Sequence, residues 1–571
     1  MNGARREAAV AFGLLLLWGV VLGLPLLAKG FPVDGHDFWA HTTWGGHFAR
    51  QFWSGDLYPR WLMDHNEGLG SPTFFFYPPL PFWMTALLAP LFPGESAPVS
   101  ALAWVATGML VLSGWFTYLW LRDSVPAPAA VLAAALYQAA PYHLLIDLYQ
   151  RAAFAEFCAM TWFPLILLAA GRASRQRGAW MLLLAVGTAL LALTHVLSLL
   201  MFAPVVPAYA AMAAQPGRRL RAAVQTALSV ALGLGLSGAY LVPALTLQRH
   251  VNMQVLWQGW GHYRQYLYDR ELVLAAGGHI FHLLLLLTLL GSVVLAALLW
   301  RLATGPGRPN GGAGAERADT RLAHFWMLVV LANAFLLTRA SDFAWQLLTP
   351  LQRIQFPWRL ATLITVAMCA LAAYGAASLR PRMALGRRSL VLAAVCIIAL
   401  WLMVTARNGL EILRQAPNPE LNPRAQDAWE YKPRGVQGED FQRAVRESRG
   451  PDGLIPKAAL DAGGRIEVVR WRPRDIRLQV EAPQDSVLTV YQFDFPGWQA
   501  LLDGKTRIRV QPSQPHGLVT LPVPAGSHSV ELRLRMTPNE RNGWLLTGVA
   551  VLVWLAMLLG AARRREPGGM A

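Results

Sequence analysis

The sequence predicts a polytopic α-helical membrane protein with about twelve crossings and a small external β-sandwich domain placed before the last helix. Three observations carry that reading. Of 571 residues, 55% are hydrophobic and only 15% charged, with mean hydropathy +0.35. Several apolar runs reach the roughly 20 residues needed to cross a bilayer. The excess positive charge, +17 net, sits in short segments between those runs: Arg5-Arg6, Arg172 to Arg177, Arg218 to Arg221, Arg301 to Arg321, Arg380 to Arg388 and Arg563 to Arg565. That is the pattern of cytoplasmic loops, so topology rather than nucleic acid accounts for the charge.

The run Ala8 to Ala28 is too long for a signal-peptide core and lacks a small-residue cleavage site, which predicts a retained anchor. With the basic loops inside, residues 29–97 lie outside. Spans follow at about 98–121, 126–141, 152–171, 178–194, 197–214, 221–246, 278–300, 322–338, 357–379, 389–406 and 542–562. Counting the short, proline-flanked run Leu80 to Phe92 as a crossing would export the basic loops, so it reads as an interfacial or re-entrant helix. Both termini then fall in the cytoplasm. The chain divides into a membrane domain (1–406), an external domain (407–541) and a last helix with a basic tail (542–571). External segments are 29–97, 142–151, 247–277, 339–356 and 407–541.

In the external domain, Arg465–Arg470, Asp475–Glu481, Val487–Phe493 and Ser529–Arg535 alternate at the strand period, with turns at Asp503-Gly504 and Ala525-Gly526. The Gly-rich stretch 304–315 reads as a flexible cytoplasmic loop. Cys158, Cys369 and Cys396 lie in apolar segments and read as small core residues, not as a disulfide or metal set. No Walker loop, nucleophile elbow, HExxH helix or dinucleotide fingerprint is present, which argues against an ATPase, an α/β-hydrolase and a metalloprotease.

Three polar groups fall in the external segments. Asp34, Asp37 and His41 are spaced i, i+3 and i+7, one face of a helix. A carboxylate beside an imidazole suits a general base; helix capping by Asp34 and a solvated polar face is the plainer alternative. A divalent cation such as Mg or Mn is chemically compatible with that set, but no further ligand is indicated and no metal residue is assigned. The second group is Tyr142, Asp147, Arg151 and Glu156. An ionised Glu156 inside an apolar helix needs a partner or a wet cavity, yet i+5 spacing does not stack Arg151 and Glu156. A structural ion pair and a substrate contact both remain open. The third group, Leu351-Gln-Arg-Ile-Gln-Phe-Pro-Trp-Arg359, puts Arg353 and Arg359 on the outer side, where a lipid phosphate is the natural anionic partner. Arg60, between Tyr58 and Trp61, follows the same logic, as do Arg249, Arg264 and Arg270. Interfacial anchoring is the alternative for each. His195, near the outer end of an apolar helix, reads as a satisfied buried histidine.

The pieces His36-Asp37 with His41, Tyr58-Pro-Arg60-Trp61, Phe76-Tyr-Pro-Pro-Leu80, Arg151 with Glu156, Leu193-Thr-His195, Gln355-Phe-Pro-Trp-Arg359, Phe495-Pro-Gly-Trp498 and Pro524-Ala-Gly-Ser-His528 occur in an order and on a side that resemble the GT-C superfamily of membrane glycosyltransferases. More narrowly the chain resembles the YfhO-like proteins and the bacterial membrane family labelled as related to 6-pyruvoyl-tetrahydropterin synthase. The resemblance implies transfer of a sugar from a polyprenyl-phosphate carrier to an envelope glycan or lipid acceptor on the extracytoplasmic face, with inversion. It also implies a first-loop base, Asp37 or Asp34, assisted by His41. Arg60, Arg151, Arg359 and Arg353 would hold the donor phosphate, and Tyr58, Tyr77, Tyr142, Glu156, Gln355 and Trp358 would line the substrate site. In place of the adjacent acidic pair of some members the first loop has Asp34-Gly-His-Asp37, which leaves the choice of base open. The external domain would bind acceptor glycan through Tyr491, Phe493 and Trp498, or simply cap the cavity. A transporter or flippase for lipid-linked saccharides and a non-catalytic envelope assembly protein are the competing classes. Transporters usually carry mid-membrane charges and internal repeats, whereas here the charges sit at the outer rim and no repeat is visible.

Overall fold

The computed structural model describes residues 3–94, 97–176, 178–305, 313–379, 383–415, 428–434, 436, 447, 449–450 and 453–563. Arg564 and Arg565 of the tail, residues 306–312 of the Gly-rich stretch and much of 416–452 lie outside them. Nine described helices are long and apolar enough to cross a membrane, and the pair Arg219–Leu236 and Gly238–Thr246, bent by 77°, makes a tenth where it is counted as one broken span and not as a re-entrant loop. The expected crossings 178–194 and 322–338 are the shorter apolar helices Ala179–Thr194 and Thr320–Leu336, and Leu80–Leu91 is a short helix as well. The bundle is layered by burial. Phe154–Ala173 is wholly enclosed by its neighbours, while Pro538–Ala561 is only 6% buried and shows its apolar surface to lipid.

Close helix approach is set by small residues around one buried amide. Gln138 donates from Nε2 to the carbonyls of Leu15 (3.2 Å) and Leu110 (3.1 Å), tying three spans together. A Cβ on Gly114 would lie 2.4 Å from this side chain, so only glycine lets it pass.

The segment 142–151, expected as an external loop, is instead a buried π-helix, Tyr142–Gln150, that prolongs the preceding span. The amides of Ile146 and Arg151 donate to the carbonyls five residues back, Pro141 and Ile146, at 2.8 and 3.0 Å. The wide turn is a recognised functional deformation of helices, and here it swings Asp147 and Arg151 inward.

The C-terminal domain is a pair of antiparallel sheets. One has the order β1 (Ala458–Leu460), β4 (Ser486–Phe493), β8 (Leu518–Val523), β7 (Gln511–Pro512). The other runs β2 (Arg465–Arg472), β3 (Asp475–Ala482), β9 (Gly526–Leu534), β5 (Trp498–Leu502), β6 (Thr506–Ile508). Period-2 patterning sets the register: Ile476, Leu478 and Val480 face inward, with Ile476 opposite Leu532 and Leu478 opposite Val530.

This domain is clamped to the first loop. Trp61 Nε1 donates to Gln492 Oε1 at 2.9 Å, and Gln492 Nε2 donates to the carbonyls of Met63 and Gly68. The amide of Phe493 donates to the Leu69 carbonyl at 2.7 Å, and Phe495 packs on Phe75 at 4.8 Å. Phe493 and Trp498 are buried in this packing, and Trp498 Nε1 donates to the Phe493 carbonyl. They are therefore core residues and not sugar-stacking platforms, because the apolar gain of burying them outweighs exposure.

Arg60 is likewise spent on architecture. Its Nη1 pairs with Glu540 at 2.9 Å and its Nη2 donates to the Ala239 carbonyl at 2.7 Å, with the guanidinium 4.3 Å above the Tyr58 ring. Glu540 also accepts from the Thr537 amide and hydroxyl, a capping box that starts the last helix. The Tyr58 hydroxyl donates to the Phe74 carbonyl, and burial pushes its pKa up to about 12. Arg60 and Tyr58 thus pin the first loop to the last helix rather than receive a phosphate. Replacing Arg60 by Met strands a buried carboxylate and should cost about 3–5 kcal/mol. A thermal-unfolding midpoint equal to that of the wild type would contradict the pin.

Candidate active site

The site grows from a backbone staple. After the first span the chain turns through residues 31–37, and the helix Phe38–Trp53 begins with Asp37 at its N-cap. The Asp37 amide donates to the Arg151 carbonyl at 2.8 Å, and His41 Nδ1 donates to the Ala152 carbonyl at 2.8 Å. Ala152 stands at φ +52°, a left-handed conformation that costs a non-glycine residue free energy and persists only when its surroundings hold it. Gly35 is part of that hold: a Cβ there would lie 2.4 Å from the Ala152 Cβ. Asp37 and Arg151 are thereby fixed relative to each other through main chain.

Asp34 is not on the same face. It sits in the turn before the helix, exposed, and accepts from Gln415 Nε2, because the helix starts only at Phe38. The expected i, i+3, i+7 stripe is broken at its first member. The Asp37 carboxylate, half-buried, accepts no side-chain or capping hydrogen bond among the described residues.

Opposite Asp37 is a buried ionic hub. Glu156 Oε2 accepts from Arg151 Nη1 (3.0 Å) and Arg359 Nε (3.1 Å), and its Oε1 accepts from the Tyr142 hydroxyl (3.0 Å). Arg151 Nη1 also donates to Asp147 Oδ1 at 2.6 Å. The break at Ala152 places Arg151 against Glu156 although a continuous helix would hold them on different faces. On the other side, Gln355 at φ +64° turns the chain so that Arg359 Nη1 reaches the Ile354 carbonyl (2.8 Å) and Gln355 Oε1 (3.2 Å). Gln355 Nε2 in turn donates to the Leu256 carbonyl at 2.6 Å. Arg359 Nη2 and the Nε and Nη2 groups of Arg151 keep no protein partner among the described residues, so both guanidinium groups retain donors for an incoming anion. Asp37 lies within electrostatic reach of Arg151, Asp147 and Tyr77.

His41 is a brace rather than a base. Nδ1–H is given to Ala152, so Nε2 carries the lone pair and accepts from the Tyr77 hydroxyl at 2.9 Å. Burial holds its pKa below the ordinary histidine value despite the neighbouring Asp37, and burial raises that of Tyr77. Trp358 and Arg353 stay out of the hub. The Trp358 ring stacks on Phe356 at 4.5 Å and meets Tyr266 edge-on at 5.0 Å, while Arg353 is exposed over the Trp257 ring at 3.8 Å. A divalent cation does not fit the donor set. Both His41 nitrogens are engaged, both Glu156 oxygens carry hydrogen bonds from the protein, and Asp34 is turned to Gln415. Among the described residues, no three acidic, histidine or cysteine side chains converge as metal ligands.

Two further residues belong to this neighbourhood: Asp147, which the sequence grouped with Arg151 and Glu156, and His195, which it read as a core histidine. Asp147, fully buried, shares Arg151 with Glu156. His195 lies within electrostatic reach of Glu156, Arg359, Arg151 and His41. Its signal in sequence was a histidine interrupting an apolar helix, which by itself does not tell a satisfied core residue from a ligand.

No family model and no curated protein matches the chain. Among solved structures it is similar to the mycobacterial arabinofuranosyltransferase AftD, with TM-score 0.44 and 16% identity over 71% of this chain and 27% of that one. A mutant form of AftD gives TM-score 0.45 and 14% identity over 94% of this chain and 42% of that one. ArnT from Cupriavidus metallidurans, bound to undecaprenyl phosphate, gives TM-score 0.30 and 14% identity, covering 82% of this chain and 97% of that one. The chain thus spans between about a quarter and two fifths of the AftD chain's length. Likenesses this distant carry no assignment of chemistry.

The depressed His41 pKa has a stability consequence. Below the ordinary value near 6.5 the unfolded chain binds a proton that folded His41 resists, so this contribution is complete above that value and is lost as pH falls below it. The thermal midpoint of the wild type should drop more steeply between about pH 6.5 and 5 than that of His41→Phe, compared in the same detergent. Parallel pH profiles would contradict the buried neutral ring.

Proposed function

We propose that the chain is a GT-C type glycosyltransferase. It moves a sugar from a polyprenyl-phosphate carrier to an envelope glycan or lipid acceptor at the extracytoplasmic face of a bacterial inner membrane. The observation that carries this reading is Asp37, a carboxylate without a hydrogen-bond partner among the described residues, stapled by its own amide to Arg151, which with Arg359 keeps unspent donors at the Glu156 hub. Asp37 takes the proton of the acceptor hydroxyl as that oxygen bonds to the anomeric carbon from the face opposite the phosphate. The anomeric C–O bond to phosphate breaks with its electron pair, and the charge that builds on the phosphate is met by Arg151 and Arg359. Glu156 and Asp147 neutralise part of the cationic charge beforehand, so the guanidinium groups are held in place without a ligand.

Asp37→Ala and Asp37→Asn should insert and fold like the wild type yet lose sugar transfer from a labelled polyprenyl-phosphate donor by about 100-fold or more. Full transfer by either variant removes Asp37 from the chemistry. Absence of transfer by the wild type with every lipid-linked donor tested would favour a flippase or an assembly protein.

A further inference from the structure

We propose that His195 is a third phosphate-binding residue of this site, presenting a neutral Nε2–H donor to a phosphoryl oxygen; the inference rests on the glycosyl-transfer reading. His195 is the extended residue, φ −160° and ψ 108°, at which the Ala179–Thr194 helix stops and Val196–Phe202 begins. The preceding residue is anchored by Trp162 Nε1, which donates to Thr194 Oγ1 at 2.9 Å.

The hydrogen bonds decide the tautomer. The backbone amide of Ser198 donates to His195 Nδ1 at 3.3 Å, and the Ser198 hydroxyl lies 2.8 Å from the same atom. A backbone N–H can only donate, so Nδ1 carries a lone pair and the proton of the neutral ring is on Nε2. The residue is only 8% exposed, and no hydrogen bond to Nε2 exists among the described residues. Nε2 is not among the described buried atoms that protein walls off without a partner, so it opens onto accessible space where a ligand atom can reach it. The groups that act on it electrostatically include four of the site: Glu156, Arg359, Arg151 and His41. Glu156 does not receive this donor: its described hydrogen bonds come from Tyr142, Arg151 and Arg359. Both nitrogens of His41 are also engaged. An anion drawn to the unspent guanidinium N–H groups would supply the missing acceptor. A neutral donor adds a hydrogen bond there without adding charge that the carboxylates must offset.

Two substitutions separate a donor from a helix cap. Asn places an amide oxygen where Nδ1 stands and is among the best N-cap residues, but it has nothing at the Nε2 position. Gln places an amide N–H near Nε2 and gives up the cap. Binding of undecaprenyl monophosphate to wild type, H195N and H195Q in nanodiscs is the measurement, alongside each thermal midpoint. The donor role predicts that H195N keeps the wild-type midpoint but binds about 10- to 100-fold more weakly, while H195Q retains most of the affinity. Unchanged binding in H195N, or equal loss in both variants, overturns the donor role and leaves the glycosyl-transfer reading standing. A wild type that does not bind the monophosphate overturns both.

Discussion

One buried carboxylate oxygen organises this molecule. Glu156 Oε2 takes hydrogen bonds from Arg151 and Arg359, which are brought to it by chain segments 203 residues apart in the case of Arg359. The four charges of Glu156, Asp147, Arg151 and Arg359 are tolerable in an enclosed helical bundle only when paired and hydrogen-bonded, and removal of any one leaves the others unmatched in a low-dielectric surrounding. The local irregularities are the means of meeting that constraint. The π-helix Tyr142–Gln150, the left-handed Ala152 and the left-handed Gln355 each redirect backbone so that a guanidinium reaches Glu156.

The layer above the hub transmits the same constraint outward. His41 hangs on the carbonyl of Ala152, Tyr77 on His41, and the Tyr77 ring lies 4.7 Å from Trp44, which in turn meets Tyr431 of the C-terminal region at 5.8 Å. The sheet domain grips the same loop through Gln492 and Phe495, and the Arg60–Glu540 pair ties it to the last helix. The domain therefore acts on the site through the loop it braces, and its buried aromatics belong to that brace. Asp37 is held in position by this framework through its amide, and its carboxylate has no hydrogen-bond partner among the described residues.

Much of this was legible without coordinates. Hydropathy and the basic loops outline the spans, and the period-2 runs mark the strands of the sheet domain, because burial in lipid or against a second sheet imposes those patterns residue by residue. Asp37, Arg151, Glu156 and Arg359 were legible as charges in places where charge is expensive. What was not legible is how each is used. Arg60 and Arg359 look alike in sequence, flanked by aromatics at a membrane boundary, yet one is consumed by Glu540 and the other keeps a free Nη2. Asp34 and Asp37 look like a pair, but the helix starts three residues too late to align them. Arg151 and Glu156 look misaligned, and a broken helix aligns them.

The sequence by itself determined the class of protein, most of its apolar helices, the sheet domain before the last helix and the set of costly charges, since each follows from local composition and period. Only the tertiary structure decided which charges face one another, which histidine nitrogen is a donor and which arginines remain available. Those outcomes depend on backbone conformations at single residues, Ala152 and Gln355 above all. Such conformations are stable only when distant segments pack around them, so no local pattern announces them.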